Sequence, residues 1–297
     1  MKYKTAAALE KAINAAARSS DMDTGRAVTG FYFHRFLCRV FSSPNSPFLL
    51  KGGQSMLART IDARATRDID LLAEGVTLEQ ALAELRKLAS VDLDDFITFE
   101  YGGAEPIKVE DEYRAGLKVS FVPILGGKEK HSISIDLVVD EIPFESKELL
   151  TPADRVEVEG IEVFDYRIYP ASNSIADKLC AMYERHNGHA SSRVKDLVDL
   201  LLYASTVSVD GIELVQRVQL ESRVRKVELP ERFSVPDDWH EYYVGAYRKM
   251  IAQTRLSSEL ADLKTGEEMA AIFLDPVLDG SALNKRWSHL ARAWEGM

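Results

Sequence analysis

The succession of apolar and polar positions divides the chain into distinct pieces. Thr5 to Ala17 is alanine-rich and reads as a helix, broken by Ser19-Ser-Asp-Met-Asp-Thr-Gly25. Arg26 to Ser42 reads as a second helix with Phe36, Leu37, Val40 and Phe41 as its apolar stripe, and Pro44 and Pro47 close it. Short apolar runs then predict a strand at 48–50, a helix at 54–60, a strand at 68–73 and a helix from Thr77 to Ala89. Segments near 95–101 and 115–123 are strand-like, and Ser132-Ile-Ser-Ile-Asp-Leu-Val-Val139 alternates as a half-buried strand does. A charged, proline-containing connection covers 147–161, and from Ala171 the pattern is largely helical. The expected fold class is therefore α/β: an N-terminal helical segment (1–45), a core (46–165) and a C-terminal helical domain (166–297), without internal repeats.

Composition sets bounds on this picture. The 297 residues are 46% hydrophobic and 28% charged, as in an ordinary globular protein able to bury a substantial core. There is no apolar run of about eighteen residues, and the start Met1-Lys-Tyr-Lys lacks a signal peptide's apolar centre, so a cytoplasmic protein without membrane contact is expected. Cys38 and Cys180 are too few and too distant in sequence for a disulfide framework or a metal knuckle, and read as buried free thiols. The net charge of −10 argues against a protein that coats nucleic acid nonspecifically. Its distribution is uneven: +4 over residues 1–45, 0 over 46–75, −12 over 76–165 and −2 over 166–297. A site that touches only one end of a nucleic acid needs no large basic field.

The chemistry concentrates in Phe48-Leu-Leu-Lys51-Gly52-Gly53-Gln-Ser55 and in Asp68-Ile-Asp70, with fourteen residues between Gly53 and Asp68. In a strand, residues i and i+2 share a face, so Asp68 and Asp70 project together while Ile69 and Leu71 point the other way. Paired carboxylates repel unless a hard cation lies between them, and Mg²⁺ favours one or two carboxylates plus substrate phosphates. Paired glycines allow close backbone approach, and a helix starting near Gln54 offers free N–H groups to phosphate. The combination points to metal-assisted chemistry on a nucleoside triphosphate. Together, in this order, the two motifs resemble the signature of the DNA polymerase beta-like nucleotidyltransferases, which implies a core with a mixed sheet. Gln54 separates Gly53 from Ser55 where many members have Gly-Ser directly. In Ile133-Ser-Ile-Asp136-Leu, Asp136 emerges opposite the core face. It is a candidate third carboxylate for two-metal chemistry, with a solvated strand residue as the alternative.

Further along, Lys178 lies between Ile175 and Met182 on a helix and borders the buried side. An ammonium there either meets an anion, for which a triphosphate serves, or snorkels to water. In Arg193-Val-Lys195-Asp196-Leu-Val-Asp199, Asp196 and Asp199 share one helical face, where Arg193–Asp196 and Lys195–Asp199 offer simple intrahelical pairs. The order Lys-Gly-Gly, Arg64-Ala-Thr66-Arg67-Asp68-Ile-Asp70, Asp-Lys178-Leu and Arg193-x-Lys195-Asp196-Leu-Val-Asp199 resembles the AbiEii-type nucleotidyltransferase toxins, the mycobacterial MenT group among them. The matched blocks span residues 51–199.

That resemblance implies the toxin of a toxin–antitoxin pair that moves a nucleoside monophosphate from an NTP to an RNA acceptor, in some members the tRNA 3′ end, with a cognate antitoxin as partner. It implies Mg²⁺ at Asp68 and Asp70, and two ions are expected, with Asp136 as the candidate third ligand. Lys51, Gly52, Gly53, Ser55, Arg67 and Lys178 are expected at the nucleotide, and Asp199, or Asp196, as an essential acid or base. Thr66 matches a hydroxyl position of the family and is a candidate phosphorylation site that would block the metal. Transfer to a protein or small-molecule hydroxyl, and a non-catalytic nucleotide-binding module, stand as alternatives. His186 and His189 are discounted as a metal pair, because Gly188 reads as a helix stop. Arg217, Arg223, Arg225 and Lys226 read as a solvated face, and Trp239, Tyr242, Tyr243 and Tyr247 as domain packing.

Overall fold

In the first of two structural units, helix α1 (Ala6–Ser19) begins at Thr5, whose hydroxyl accepts the Ala8 N–H, and buries Leu9, Ile13 and Ala17 at successive four-residue steps. Helix α2 (Thr24–Phe41), capped by Asp23, is enclosed on every side from Phe31 to Phe41. The computed structural model describes residues 2–64, 66, 68–107, 116–139, 148–185 and 191–297. They separate into one unit of residues 1–61 and 65–169 and another of 62–64 and 170–297. Full enclosure of α2 draws Arg35 and Arg39 inside, and one buried carboxylate answers both. Arg35 Nε donates to Asp95 Oδ2 at 2.8 Å, and Arg39 Nη2 donates to Asp95 Oδ1 at 2.7 Å and to the Ile97 carbonyl at 2.6 Å. Burial pushes the Asp95 carboxyl up, but the bonds and charges of Arg39 and Arg35 outweigh it and hold the group below the usual carboxylate range.

After α2 come β1 (Phe48–Lys51), α3 (Gly52–Arg59), β2 (Asp68–Ala73), α4 (Leu78–Ala89), β3 (Ile97–Pro106), β4 (Gly116–Leu125), β5 (Lys128–Glu129), β6 (Ile133–Val139), β7 (Glu148–Leu150) and β8 (Tyr166–Ile168). Helix α4 opens with a capping box, in which the Thr77 hydroxyl and the Gln80 side chain each take the other's backbone N–H. The strands form a mixed sheet in the order β3-β4-β6-β2-β1-β8-β7, with β5 on β4. Strands β2 and β6 run parallel, and β1 and β4 run antiparallel to them. One face carries Leu50, Ile69, Leu71, Val119, Phe121, Ile133, Ile135 and Leu137 into a core shared with α1, α2 and α4. The opposite face is where the carboxylates emerge.

The second unit contains α5 (Ala171–Tyr183), α6 (Val194–Thr206), β9 (Val209–Asp210), α7 (Gly211–Arg225), α8 (Trp239–Tyr242), α9 (Val244–Ile251), a 3₁₀ turn (Ser258–Ala261), α10 (Leu263–Leu278), β10 (Lys285–Ser288) and β11 (Ala293–Gly296). Periodicity did not announce its small sheet, ordered β11-β10-β9, which is built around buried Trp287. The indole N–H of Trp287 donates to the Ala204 carbonyl at 2.8 Å, and that of Trp239 to the Ser191 carbonyl at 2.8 Å. Trp239 and Tyr247 pack inside, as expected, whereas Tyr242 is exposed. The basic cluster on α7 is not a solvated face throughout: Arg225 is buried against Glu184, Asp177 and Glu221, and Arg217 pairs with Glu221 at 3.5 Å. Helix α7 lies on α5, and its arginines neutralise carboxylates enclosed between the two. Cys38 and Cys180 are free and buried, and burial pushes the Cys180 thiol up to about 12.

Candidate active site

The apolar run of β1 ends at Lys51, and the chain turns directly into α3 through Gly52, at φ +63°, and Gly53. A Cβ at Gly52 would collide with the Asp70 carboxylate, so only glycine leaves that carboxylate its place. No side chain caps α3, which leaves its first-turn N–H groups for another acceptor. The Ser55 hydroxyl is fully buried and donates to the Gly52 carbonyl at 2.8 Å. In this structure it fixes the turn and does not project from it.

Register sets the rest of the face. Asp70 stands opposite Lys51 on β1 and opposite Asp136 on β6, and Asp136 in turn stands opposite Lys118 on β4. Asp68 stands opposite Ser134. Asp68, Asp70 and Asp136 therefore share one sheet face beside the glycine turn, while Ile69 and Leu71 enter the core. The Thr66 hydroxyl donates to Asp68 Oδ1 at 2.9 Å, and Thr66 lies 3.1 Å from where a Cβ of Gly53 would be. The Lys51 ammonium is 5.5 Å from the centre of the Tyr169 ring. Leu49, Leu72, Tyr169 and Val138 make an apolar cluster on the same unit. Arg67, His186 and His189 lie outside the described residues.

Among the described residues no group of three or more His, Cys, Asp or Glu side chains is gathered closely enough to cage an ion. The donor set nevertheless fits Mg²⁺. It consists of hard carboxylate oxygens on two adjacent strands, and Mg²⁺ usually keeps several waters and takes one or two carboxylates plus phosphates rather than a full protein cage.

In the second unit, α5 and α6 bring together a separate charged group. Lys178 Nζ donates to Asp199 Oδ2 at 2.7 Å and to Asp196 Oδ1 at 3.4 Å. Arg64 grips Asp199 with two bonds, Nε to Oδ1 at 3.2 Å and Nη2 to Oδ2 at 3.3 Å. The intrahelical Arg193–Asp196 pair forms as the spacing predicts. Burial would depress the Lys178 ammonium, but the charges of Asp199 and Asp196 outweigh it and raise its pKa above the ordinary lysine value. Burial would likewise raise the Asp199 carboxyl, but Lys178 and Arg64 hold it below the usual range. Asp199 is therefore held ionised between Lys178 and Arg64. Arg64 is the partner that sequence reasoning missed. Its block was noted, but nothing in a single sequence shows a guanidinium reaching a residue 135 positions away.

A glycine turn against aligned carboxylates on a mixed sheet has the chemistry to receive a phosphate-bearing group. The model of the family described as "Nucleotidyl transferase AbiEii toxin, Type IV TA system" matches residues 35–278, and the chain belongs to that family. It is a nucleotidyltransferase of a toxin–antitoxin system, and membership implies an antitoxin partner. A search of curated proteins finds no match. Among solved structures, the chain is similar to the nucleotidyltransferase toxin MenT4 of Mycobacterium tuberculosis, at 13% identity over 94% of this chain and 98% of that one, TM-score 0.49. It is also similar to JHP933 of Helicobacter pylori, at 17% identity over 85% and 94%, TM-score 0.46. No helix among the described residues is long and apolar enough to cross a membrane.

Proposed function

We propose that the protein transfers a nucleoside monophosphate from an NTP to the 3′ hydroxyl of an RNA, tRNA in particular, in a metal-dependent reaction that its antitoxin counters in the cytoplasm. The observation that carries this reading is the register of Asp68, Asp70 and Asp136 on one face, with the Asp70 carboxylate lodged against Gly52. Asp68, Asp70 and Asp136 would hold Mg²⁺, which when bound neutralises phosphate charge and activates the attacking oxygen. The first-turn N–H groups of α3 and the Lys51 ammonium receive phosphate oxygens. The acceptor oxygen bonds to the α-phosphorus, the α–β anhydride breaks, pyrophosphate leaves with the electron pair, and the hydroxyl proton passes to water. Positioning and charge neutralisation supply most of the rate.

Thr66 belongs to this reading as a control point. Its hydroxyl already touches Asp68, so a phosphate there would add about −1.5 to −2 charge beside the metal carboxylates and block the site.

Incubation with each α-labelled NTP, Mg²⁺ and either total RNA or cell protein tests the proposal. Label is expected on RNA, with pyrophosphate released, and Asp68→Ala should reduce transfer about a thousandfold or more. Label on protein alone, or transfer that survives Asp68→Ala, would overturn it.

A further inference from the structure

Beyond the acidic row, the sheet face continues across β6, β4 and β3. Asp68 is followed across the strands by Ser134, Ser120 and Gly103, and Asp70 by Asp136, Lys118 and Glu105. Period-two alternation puts Ser132, Ser134 and Asp136 together on this face, opposite the core residues Ile133, Ile135 and Leu137. Ser120 Oγ lies 3.3 Å from Ser132 Oγ. A Cβ at Gly102 would come within 2.7 Å of Ser120 Oγ, and Gly103, at φ +134° on a bulge, would direct a Cβ into open space. Hydroxyls, one ammonium and bare backbone therefore floor the region on the side of the carboxylates away from the glycine turn.

Lys118 is the decisive residue. Its ammonium is 3.9 Å from Asp136 Oδ1, and the side chain is 58% exposed. An ion pair that long and that open to water adds little stability, so the fold does not require a lysine here. The ammonium does have a use if the incoming acceptor is an anion whose hydroxyl must approach Asp136.

We propose that Lys118, Ser120, Ser134 and the Gly103 backbone form the acceptor subsite and take the ribose–phosphate end of a nucleic acid, with Lys118 on a backbone phosphate. This rests on the transfer reading above and deepens it by naming where the acceptor lies. Triphosphate enters from the α3 side and acceptor from the β4 side, with the carboxylates between them. Hydroxyls that donate and accept suit ribose and phosphate oxygens, and the missing side chains on β3 admit a flat sugar–phosphate edge. Glu105, exposed at the far end of the Lys118 row, marks the outer limit of the floor, because a second phosphate beside it would be repelled.

The test uses the full-length protein with deacylated bulk tRNA. Lys118→Ala should raise KM for tRNA about fivefold to tenfold while leaving KM for the NTP unchanged. In metal-free fluorescence-anisotropy titrations of the same tRNA, the slope of log affinity against log salt should fall by about one. Lys118→Arg should restore both, and Ser120→Ala should raise KM for tRNA by a smaller factor. An unchanged tRNA KM and salt slope in Lys118→Ala, or an equal rise in KM for the NTP, would overturn the assignment. If the unaltered protein labels protein and not tRNA, the subsite proposal fails while nucleotidyl transfer stands. If it releases no pyrophosphate with either acceptor, the transfer reading itself fails.

Discussion

Gly52 shows how one residue links backbone conformation to chemistry. Its φ of +63° is costly for any residue with a Cβ, and the added atom would strike the Asp70 carboxylate. Gly52→Ala should therefore lower stability by about 1–3 kcal/mol and also displace the carboxylate that the proposed metal needs. Thermal unfolding and pyrophosphate release, measured on the same preparation, are both expected to fall. Loss of stability with full activity would show that Asp70 can move without consequence. The pairing of the glycine turn with the Asp-x-Asp strand was legible in the sequence because both rest on local rules: glycine permissiveness and period-two alternation. The bond of the Ser55 hydroxyl to the Gly52 carbonyl was not, because whether a hydroxyl turns back to its own turn depends on the packing around it. Asp199 illustrates the same limit, since its two cations come from a different helix and a distant loop.

At the scale of elements, the strands were predictable where side chains alternate. Strand β2 runs from Asp68 to Ala73, as expected, and the helix ending at Ala89 starts one residue after Thr77, which caps it. Helix α2 defied its amphipathic reading, because enclosure on all sides leaves no polar face and its buried arginines look like surface residues in sequence. Asp95 supplies the carboxylate that offsets both, beside bonds to backbone carbonyls, and ties α2 to the approach of β3. Asp95→Asn should destabilise the protein by about 3–5 kcal/mol by leaving two guanidinium groups without their counter-charge. Because the Asp95 carboxyl is held below its ordinary value, its contribution is present above the unfolded carboxylate pKa of about 3.9 and is lost as pH falls through the folded one. Urea midpoints of the unaltered protein should drop on acidification below about pH 4, and those of Asp95→Asn should drop less. Parallel pH profiles for the two would contradict the role given to Asp95.

For the whole molecule, the charge pattern and the site pull in different directions. Residues 76–165 carry −12, yet they include the face on which an RNA end is proposed to sit. A protein of this charge has little long-range attraction for nucleic acid, so recognition must come from short-range contacts at the end of the acceptor. The α/β class was readable from the order of apolar runs and the mixed sheet from the resemblance, but the order β3-β4-β6-β2-β1-β8-β7 was not, since pairing between distant strands leaves no local trace in one sequence. The small sheet of the second unit escaped for a related reason: its strands are two to four residues long and too short to show a period.

The central proposal is that the face carrying Asp68 and Asp70, with Asp136 on the adjacent strand, supplies carboxylates to a divalent ion against the triphosphate. Electron paramagnetic resonance of Mn²⁺ titrated into the protein with a non-hydrolysable NTP analogue reads this directly, without dependence on the acceptor. The unaltered protein should bind Mn²⁺ in the presence of the analogue, and Asp70→Asn, shown to be folded by circular dichroism, should lose that binding. Equal Mn²⁺ binding by both proteins would contradict the assignment.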